Sequence, residues 1–394
     1  MFSLLRCSLF GKPDASEIAV PEDVDWAAVF KEMQAHTVHG LVEPILDQLP
    51  FSDPSVKEDW RNSCIHQQAR WYQVAAAQQA LLELLEANEI PCVVIKGSSA
   101  GSYYPHPVLR CPGDIDALVR RCDFDRTVAL LNSSGYRFIH DDNAGKHHHY
   151  SFQKDGISIE LHHRLGIVSA DNEALVALFE DGVTDRQRMQ IEGFSFAMLP
   201  TFQNGLCLLF HIDQHLRSGL GLRQIVDWMM FVSAELSDRV WAEQYRPCLQ
   251  QLGLETFAIT VTALCREYLG LPETIHWCDA ADPEVRDELL RYILEKGNFG
   301  KKSGIEGQIS YVSMVTKNPI QLFRRLQVGG KLNWKAAKKY KILQPFAWIY
   351  QVFHILKKLR KNRISGNAFR HLKDTGEEQR NLIDRLGLQM NRNL

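Results

Sequence analysis

The sequence predicts an α+β fold in which a small mixed sheet is embedded in a mainly helical protein. Three observations predict it. Short β-branched or alternating runs are confined to residues 89–200, beginning with PCVVIKGSS. Good helix formers at helical spacing fill the chain before Ile90 and again beyond Thr201. An Asp155-Gly156 pair lies between two alternating runs, a strong hairpin signal. The expected organisation is a helical region over 1–88, an α/β core over 89–200, a helical bundle over 201–297 and a basic helical region over 298–394.

Each element follows in order. The opening MFSLLRCSLF has too short an apolar core for a signal segment and is expected to form a short helix. After a loop containing Lys12-Pro13, apolar residues from Val24 to Ile45 recur at helical spacing, predicting one amphipathic helix or a broken pair. Pro54 offers the start of a long helix that delivers the chain to a strand at Cys92. The strand Cys92–Lys96 ends in a Gly97-Ser98 turn, and a YYPHPVLR loop leads to a second strand, Asp114–Val119. A helix from about Asp123 to Ser134 follows, with Asp123 expected as N-cap and Gly135 as its stop. Then come strand YRFIH, the hairpin of HHHYSFQ and ISIELHHRL, and a pair of short strands in RQRMQIEG and FSFAMLP. Helices are read at Thr201–Leu216, Gly221–Ala234, Asp238–Leu252, Leu254–Tyr268 and Pro283–Lys296.

An apolar share of 45% over 394 residues supports a well-buried core. Nine cysteines without a CxxC pair argue against a disulfide framework or zinc ribbon and for a reducing compartment. No window approaches twenty consecutive apolar residues, so no membrane span is expected. The expected location is cytoplasmic, with peripheral membrane contact as an option. The net charge of −2 conceals an asymmetry: from Asn298 onward there are 20 Lys+Arg against 5 Asp+Glu. Between Gly307 and Lys373 there is no acidic residue at all, which calls for an anionic partner or an acidic face of the protein itself.

The chemistry centres on IKGSSAGSYYPHPVLRCPGDIDALV. Strand side chains alternate, so Asp114 and Asp116 are expected to project to one side while Ile115 enters the core. Two carboxylates aimed at one point repel unless a cation sits between them, and hard divalent ions are held by oxygen. Gly-Ser, a spacer and then Asp-apolar-Asp resembles the signature of the DNA polymerase β-like nucleotidyltransferase superfamily. KGSSAGSYYPHPVLRCPGDIDALV followed by HHHYSFQKDGISIELHHRL resembles the bacterial uncharacterised nucleotidyltransferase family, from about Asp25 to about Tyr350. The spacer exceeds the usual superfamily length but suits this subfamily with its YYP insertion.

That resemblance implies a polymerase β-like domain that uses Mg²⁺ or Mn²⁺ to transfer a nucleoside monophosphate from an NTP, ATP by default, to an acceptor hydroxyl. Three carboxylates commonly hold the ions, and Glu160, flanked by Ile159 and Leu161, fits as the third. A solvent-facing Glu160 on an edge strand is the plain alternative. Gly97 and Ser98 would hold phosphate oxygens, against an ordinary tight turn. Lys96 and Arg110 would neutralise phosphate charge, Arg110 being preferred for its fork.

His162 and Arg164 share the strand parity of Glu160 and could reach the site from the acceptor side. His147–His149 lack zinc spacing. His211 and His215 stand at i and i+4, as do Arg223 and Asp227. For these pairs helix packing and a helix-face ion pair compete with acceptor recognition. In Pro345–Arg363, aromatic and aliphatic residues alternate with Lys357, Lys358, Arg360, Lys361 and Arg363. The aromatic part is expected to dock on the protein, and the charged end to meet a membrane surface or nucleic acid. The acceptor is unspecified. A phosphotransferase using the same site, and a non-catalytic nucleotide-binding or interaction protein, remain as alternatives.

Overall fold

A computed structural model describes residues 1–11, 20–21, 23–139, 149–165, 172–216, 219–297, 319–361 and 366–388. Of these, the residues up to 297 together with 386–388 form one compact unit, and 319–361 with 366–385 form another. The expected loops at Lys12-Pro13 and Asp141–Lys146, with His147, His148 and Arg363, lie outside the described residues.

The fold is α+β. Its first unit opens with helix α1 (Phe2–Phe10) and α2 (Trp26–Ala35), the latter capped by the Asp25 carboxylate on the Ala28 amide. The periodic stretch is a broken pair: Thr37 takes φ +57°, and a 3₁₀ helix, His39–Gln48, carries the chain past Pro44. Helix α3 (Pro54–Ala87) runs 34 residues from a proline start under an Asp53 cap. It has no proline or glycine within it to stop it before Asn88.

The sheet consists of β1 (Cys92–Ile95), β2 (Ile115–Val119), β3 (Arg137–Phe138), β4 (His149–Lys154), β5 (Ile157–His162), β6 (Gln187–Ile191) and β7 (Phe194–Met198), in the order β3-β4-β5-β2-β1-β7-β6. It is mixed: β2 runs parallel to β5 and β1 parallel to β7, while the other pairs are antiparallel. The expected hairpin forms on Asp155-Gly156, and the two short strands beyond it also pair as a hairpin, on Glu192-Gly193; both are two-residue turns with positive φ at each central residue.

Alternation sorts the central strands. Ile115, Ala117 and Val119 of β2 and Ile157, Ile159 and Leu161 of β5 enter one core with Leu81 and Leu85 of α3. A short helix, α4 (Gly97–Gly101), follows β1, and the core includes Leu131 of helix α5 (Phe124–Ser133). Each such side chain, fully buried, contributes about 1.5–3 kcal/mol, so a one-residue slip would cost the whole set. The even-numbered residues of β2 and β5 therefore face the other way.

Three details differ from expectation. Strand β2 begins at Ile115, leaving Asp114 just ahead of it. Asp123 occupies the cap position of α5 but makes no cap hydrogen bond, because its carboxylate accepts from Arg120 Nε at 2.7 Å. A helix not singled out in the sequence, α6 (Glu173–Thr184), buries Leu175, Val176, Phe179 and Val183.

Beyond the sheet the expected helices form: α7 (Thr201–Leu216) and α8 (Leu222–Glu235), then helical stretches over Asp238–Leu252, Glu255–Leu269 and Pro283–Lys296. No single helix among the described residues is long and apolar enough to cross a membrane. All nine cysteines are free.

The second unit is helical, with helices Pro319–Asn333, Ala347–Lys361 and Gly366–Arg385. A Cβ on Gly330 would lie 1.8 Å from the Ala347 carbonyl oxygen, so the first two of these helices touch backbone to backbone at a glycine. The aromatic stretch expected to dock is largely open: Phe346 is 56% and Phe353 67% exposed.

Candidate active site

Four elements converge on a cavity of about 230 Å³ within the first unit. The sheet and its strand ends contribute Lys96, Gly97, Asp114, Asp116, His149 and Glu160, the loop before β2 contributes Arg110 and Gly113, and α7 and α8 contribute His211, Gln214, His215 and Arg223. The register explains the sheet wall: Asp116 is paired directly with Glu160 across parallel strands, and His149 lies opposite His162. Strand alternation thus delivers Asp116, Glu160 and His162 to one face.

Asp116 is the hub. Lys96 Nζ donates to its Oδ1 at 2.8 Å, and His162 Nε2 stands 2.9 Å from the same oxygen. His162 Nε2 is also 3.5 Å from Glu160 Oε2, and His149 Nε2 is 3.7 Å from Glu160 Oε1. Lys96 reaches Asp116 because its own backbone is turned to φ +58° and ψ −132°, a region that costs a non-glycine residue about 1–3 kcal/mol. Gly97 follows at φ +26°, and a Cβ there would meet only the Asp114 carbonyl oxygen, at 4.0 Å. Glycine is required at this point by conformation rather than by crowding.

The electrostatics separate the carboxylates. Burial pushes Asp116 up, but the Lys96 ammonium and the His162 hydrogen bond outweigh it and hold the group well below the usual range. Asp114 stands open at the mouth of the cavity, yet loss of hydration there and then the charges of Asp116 and Glu160 raise it to about 6. Glu160 is lowered overall: burial opposes, and the His162 hydrogen bond prevails. On the helical wall, burial drives His211 well below its ordinary value and His215 down to about 4, so both imidazoles are neutral at pH 7.

Of the expected residues, Ser98 and Arg164 lie away from the cavity, and Arg110 lines it but is bonded to a carboxylate. Ser98 donates its hydroxyl to Gln78 Oε1 of α3 at 2.9 Å and does not line the cavity. Arg110 gives Nε and Nη2 to the two oxygens of Asp227 at 2.6 and 2.8 Å, and the Tyr104 hydroxyl adds a 2.7 Å bond to Oδ1. The anticipated Arg223–Asp227 helix-face pair therefore does not form, because Asp227 is committed to the loop before β2. Strand β5 stops at His162, and Arg164 lines a separate small pocket with Leu118 and Phe179.

Sequence reasoning passed over His149, Gln214 and Gly113. A signal for His149 existed: the two-residue turn at Asp155-Gly156 pairs Lys154 with Ile157 and so carries His149 to His162.

The donors on the sheet wall fit a divalent cation. One ligand atom each from His149, Glu160 and His162 lies within 4.8 Å of the others, and Asp114 and Asp116 add oxygens in the same cavity. An acidic sheet wall with its cations close by suits chemistry on phosphate esters, the work of a transferase acting on nucleotides. The chain belongs to the family of uncharacterised nucleotidyltransferases, which matches it over residues 22–270. It is also similar to the crystal structure of an antigenic nucleotidyltransferase-like protein from Paracoccidioides brasiliensis, at 14% identity, covering 50% of this chain and 92% of that one, with a TM-score of 0.33. No curated protein matches it.

Proposed function

We propose that this chain is a metal-dependent nucleotidyltransferase of the polymerase β-like superfamily that moves a nucleoside monophosphate from an NTP, ATP by default, to an acceptor hydroxyl. The observation that supports it most is the pairing of Asp116 with Glu160 across β2 and β5, with Asp114 in the same cavity. Asp114, Asp116 and Glu160 are the residues that would hold Mg²⁺ or Mn²⁺, and the imidazoles of His149 and His162 beside Glu160 favour Mn²⁺. A divalent ion bound there supplies charge neutralisation of the triphosphate and a lowered pKa for the attacking hydroxyl.

The chain's own groups do the rest. Lys96 fixes the Asp116 carboxylate and balances its charge, while His162 orients the same oxygen. The Gly97 turn leaves the cavity floor without a side chain, so a phosphate can approach the backbone. The neutral His211 and His215, with Gln214, offer uncharged donors and acceptors to an acceptor hydroxyl.

Incubation with α-labelled and γ-labelled ATP, Mn²⁺ and cell extract tests the reading. Transfer of the α-label to an acceptor is expected. Transfer of the γ-label alone would make the chain a phosphotransferase, and transfer of neither would leave a nucleotide-binding protein.

For the second unit we propose a docking role at an anionic lipid surface, consistent with a cytoplasmic protein that contacts membranes peripherally. Ile342, 81% exposed, and Phe353, 67% exposed, stand in a stretch without acidic residues. Exposed apolar side chains among lysines suit lipid better than nucleic acid.

A further inference from the structure

We infer that Arg223 is the side chain that seats a phosphate oxyanion in this cavity, the role the sequence suggested for Arg110. This rests on the nucleotidyltransferase reading of the site. Three long cationic side chains line the cavity: Lys96, Arg110 and Arg223. Lys96 is bound to Asp116, and Arg110 is bound through two nitrogens to Asp227, which also accepts from Tyr104. Arg223 is only 8% exposed and forms no ion pair among the described residues. Its Nη1 donates to the neutral Cys111 carbonyl at 3.1 Å, and its Nε is buried without a hydrogen-bond partner among the described residues.

A guanidinium cannot shed its proton at any ordinary pH, so a buried one without a carboxylate leaves charge to be balanced. Arg110, Arg223 and Asp227 together carry one net positive charge. His211 and His215, neutral on the α7 wall, add no further positive charge to it. Asp114, Asp116 and Glu160 share the cavity, but these are the groups proposed to hold the metal, so with an ion on them the charge of Arg223 is left for a ligand oxyanion.

Location narrows the class of that ligand. A Cβ on Gly113 would stand 3.9 Å from Arg223 Nη1, which places the guanidinium beside the backbone immediately before Asp114. An oxyanion held by Arg223 therefore sits next to the carboxylates proposed to hold the metal, where a polyphosphate can be shared between the two. The planar fork matches phosphate oxygens better than an ammonium does.

The test uses the full chain, Mn²⁺ and inorganic tripolyphosphate, read by calorimetry and by thermal melting, with ATP as a second ligand. Arg223→Met should bind Mn²⁺ as the wild type does and tripolyphosphate about tenfold to a hundredfold more weakly. Arg223→Lys should fall between them. In the absence of ligand, Arg223→Met should melt at or above the wild-type temperature, because a buried unpaired charge has been removed. Should the Met variant fail to fold, Arg223→Gln carries the same comparison. Tripolyphosphate bound equally by wild type and variant, with or without a lowered ligand-free melting temperature, would overturn the role of Arg223 alone. A wild type that binds neither tripolyphosphate nor ATP would overturn both this role and the nucleotidyltransferase reading.

Discussion

Asp114 and Asp116 are two residues apart and line one cavity, yet their surroundings give them opposite characters. Asp116 is buried and held ionised by Lys96 and His162, whereas Asp114 is exposed, unpaired and raised to about 6. Replacing each by Asn therefore has different effects on stability and the same effect on turnover. Asp116→Asn leaves the Lys96 ammonium buried without its counter-charge and should lower stability by about 3 kcal/mol. Asp114→Asn removes only repulsion, so its melting temperature should hold or rise. Both should lose at least about a hundredfold in nucleotidyl transfer. Wild-type turnover in Asp114→Asn, or equal melting temperatures in the two variants, would contradict this division. The pattern Asp-Ile-Asp made the pair legible in the sequence. The lysine that separates them chemically was not, because Lys96 reaches Asp116 only through a backbone angle that no side-chain pattern reports.

Element by element, the sequence was most legible where periodicity and turn chemistry agreed. Helices α3, α7 and α8 and the β4–β5 hairpin lie where apolar spacing, the Pro54 start and the Asp-Gly turn put them, and β6 and β7 lie in the two short runs read as strands. The order of the sheet was not legible, since β2 lies between β1 and β5, and β5 arrives from some forty residues away. Arg110 lines the cavity as expected, but its bond to Asp227 was not legible for a related reason: Asp227 is on α8, and long-range ion pairs leave no local signature. The 3₁₀ helix His39–Gln48 carries a consequence of burial. His39 is 8% exposed, its Nδ1 lacks a hydrogen-bond partner among the described residues, and burial lowers it to about 4. A histidine depressed in the folded state protonates first in the unfolded chain. Its contribution is therefore whole above about pH 6.5 and is lost as the pH falls toward 4, by roughly 2–3 kcal/mol. Asp114, raised in the fold, works in the opposite sense and is common to both proteins in the comparison. His39→Phe should lose less stability than the wild type in urea melts taken from pH 7 to pH 4.5. Parallel slopes would show that His39 does not titrate on unfolding.

At the scale of the whole molecule, charge divides along the chain. The part up to Gly297 carries 25 Lys+Arg against 42 Asp+Glu, and the remainder 20 against 5. This asymmetry was plain in the sequence. That the basic region also exposes Phe323, Ile342, Phe346 and Phe353 was not, because helical periodicity shows which residues share a face and not what covers that face. Apolar side chains beside an acid-free cationic stretch bind a lipid surface by two separable terms, a salt-sensitive attraction and a salt-insensitive insertion. Co-sedimentation with vesicles containing phosphatidylserine should therefore weaken between about 50 and 200 mM salt without vanishing, and vesicles of phosphatidylcholine alone should retain little protein. Charge reversal at Lys357, Lys358, Lys361 and Arg363 should remove the salt-sensitive part, whereas Ile342→Ser with Phe353→Ser should remove the residual part. None of these residues is among those that line the cavity, so ATP binding should be unchanged in both. If charge reversal abolishes RNA binding while vesicle binding never appears, the partner is a nucleic acid. If it changes neither, these charges are solvated and the lipid reading fails.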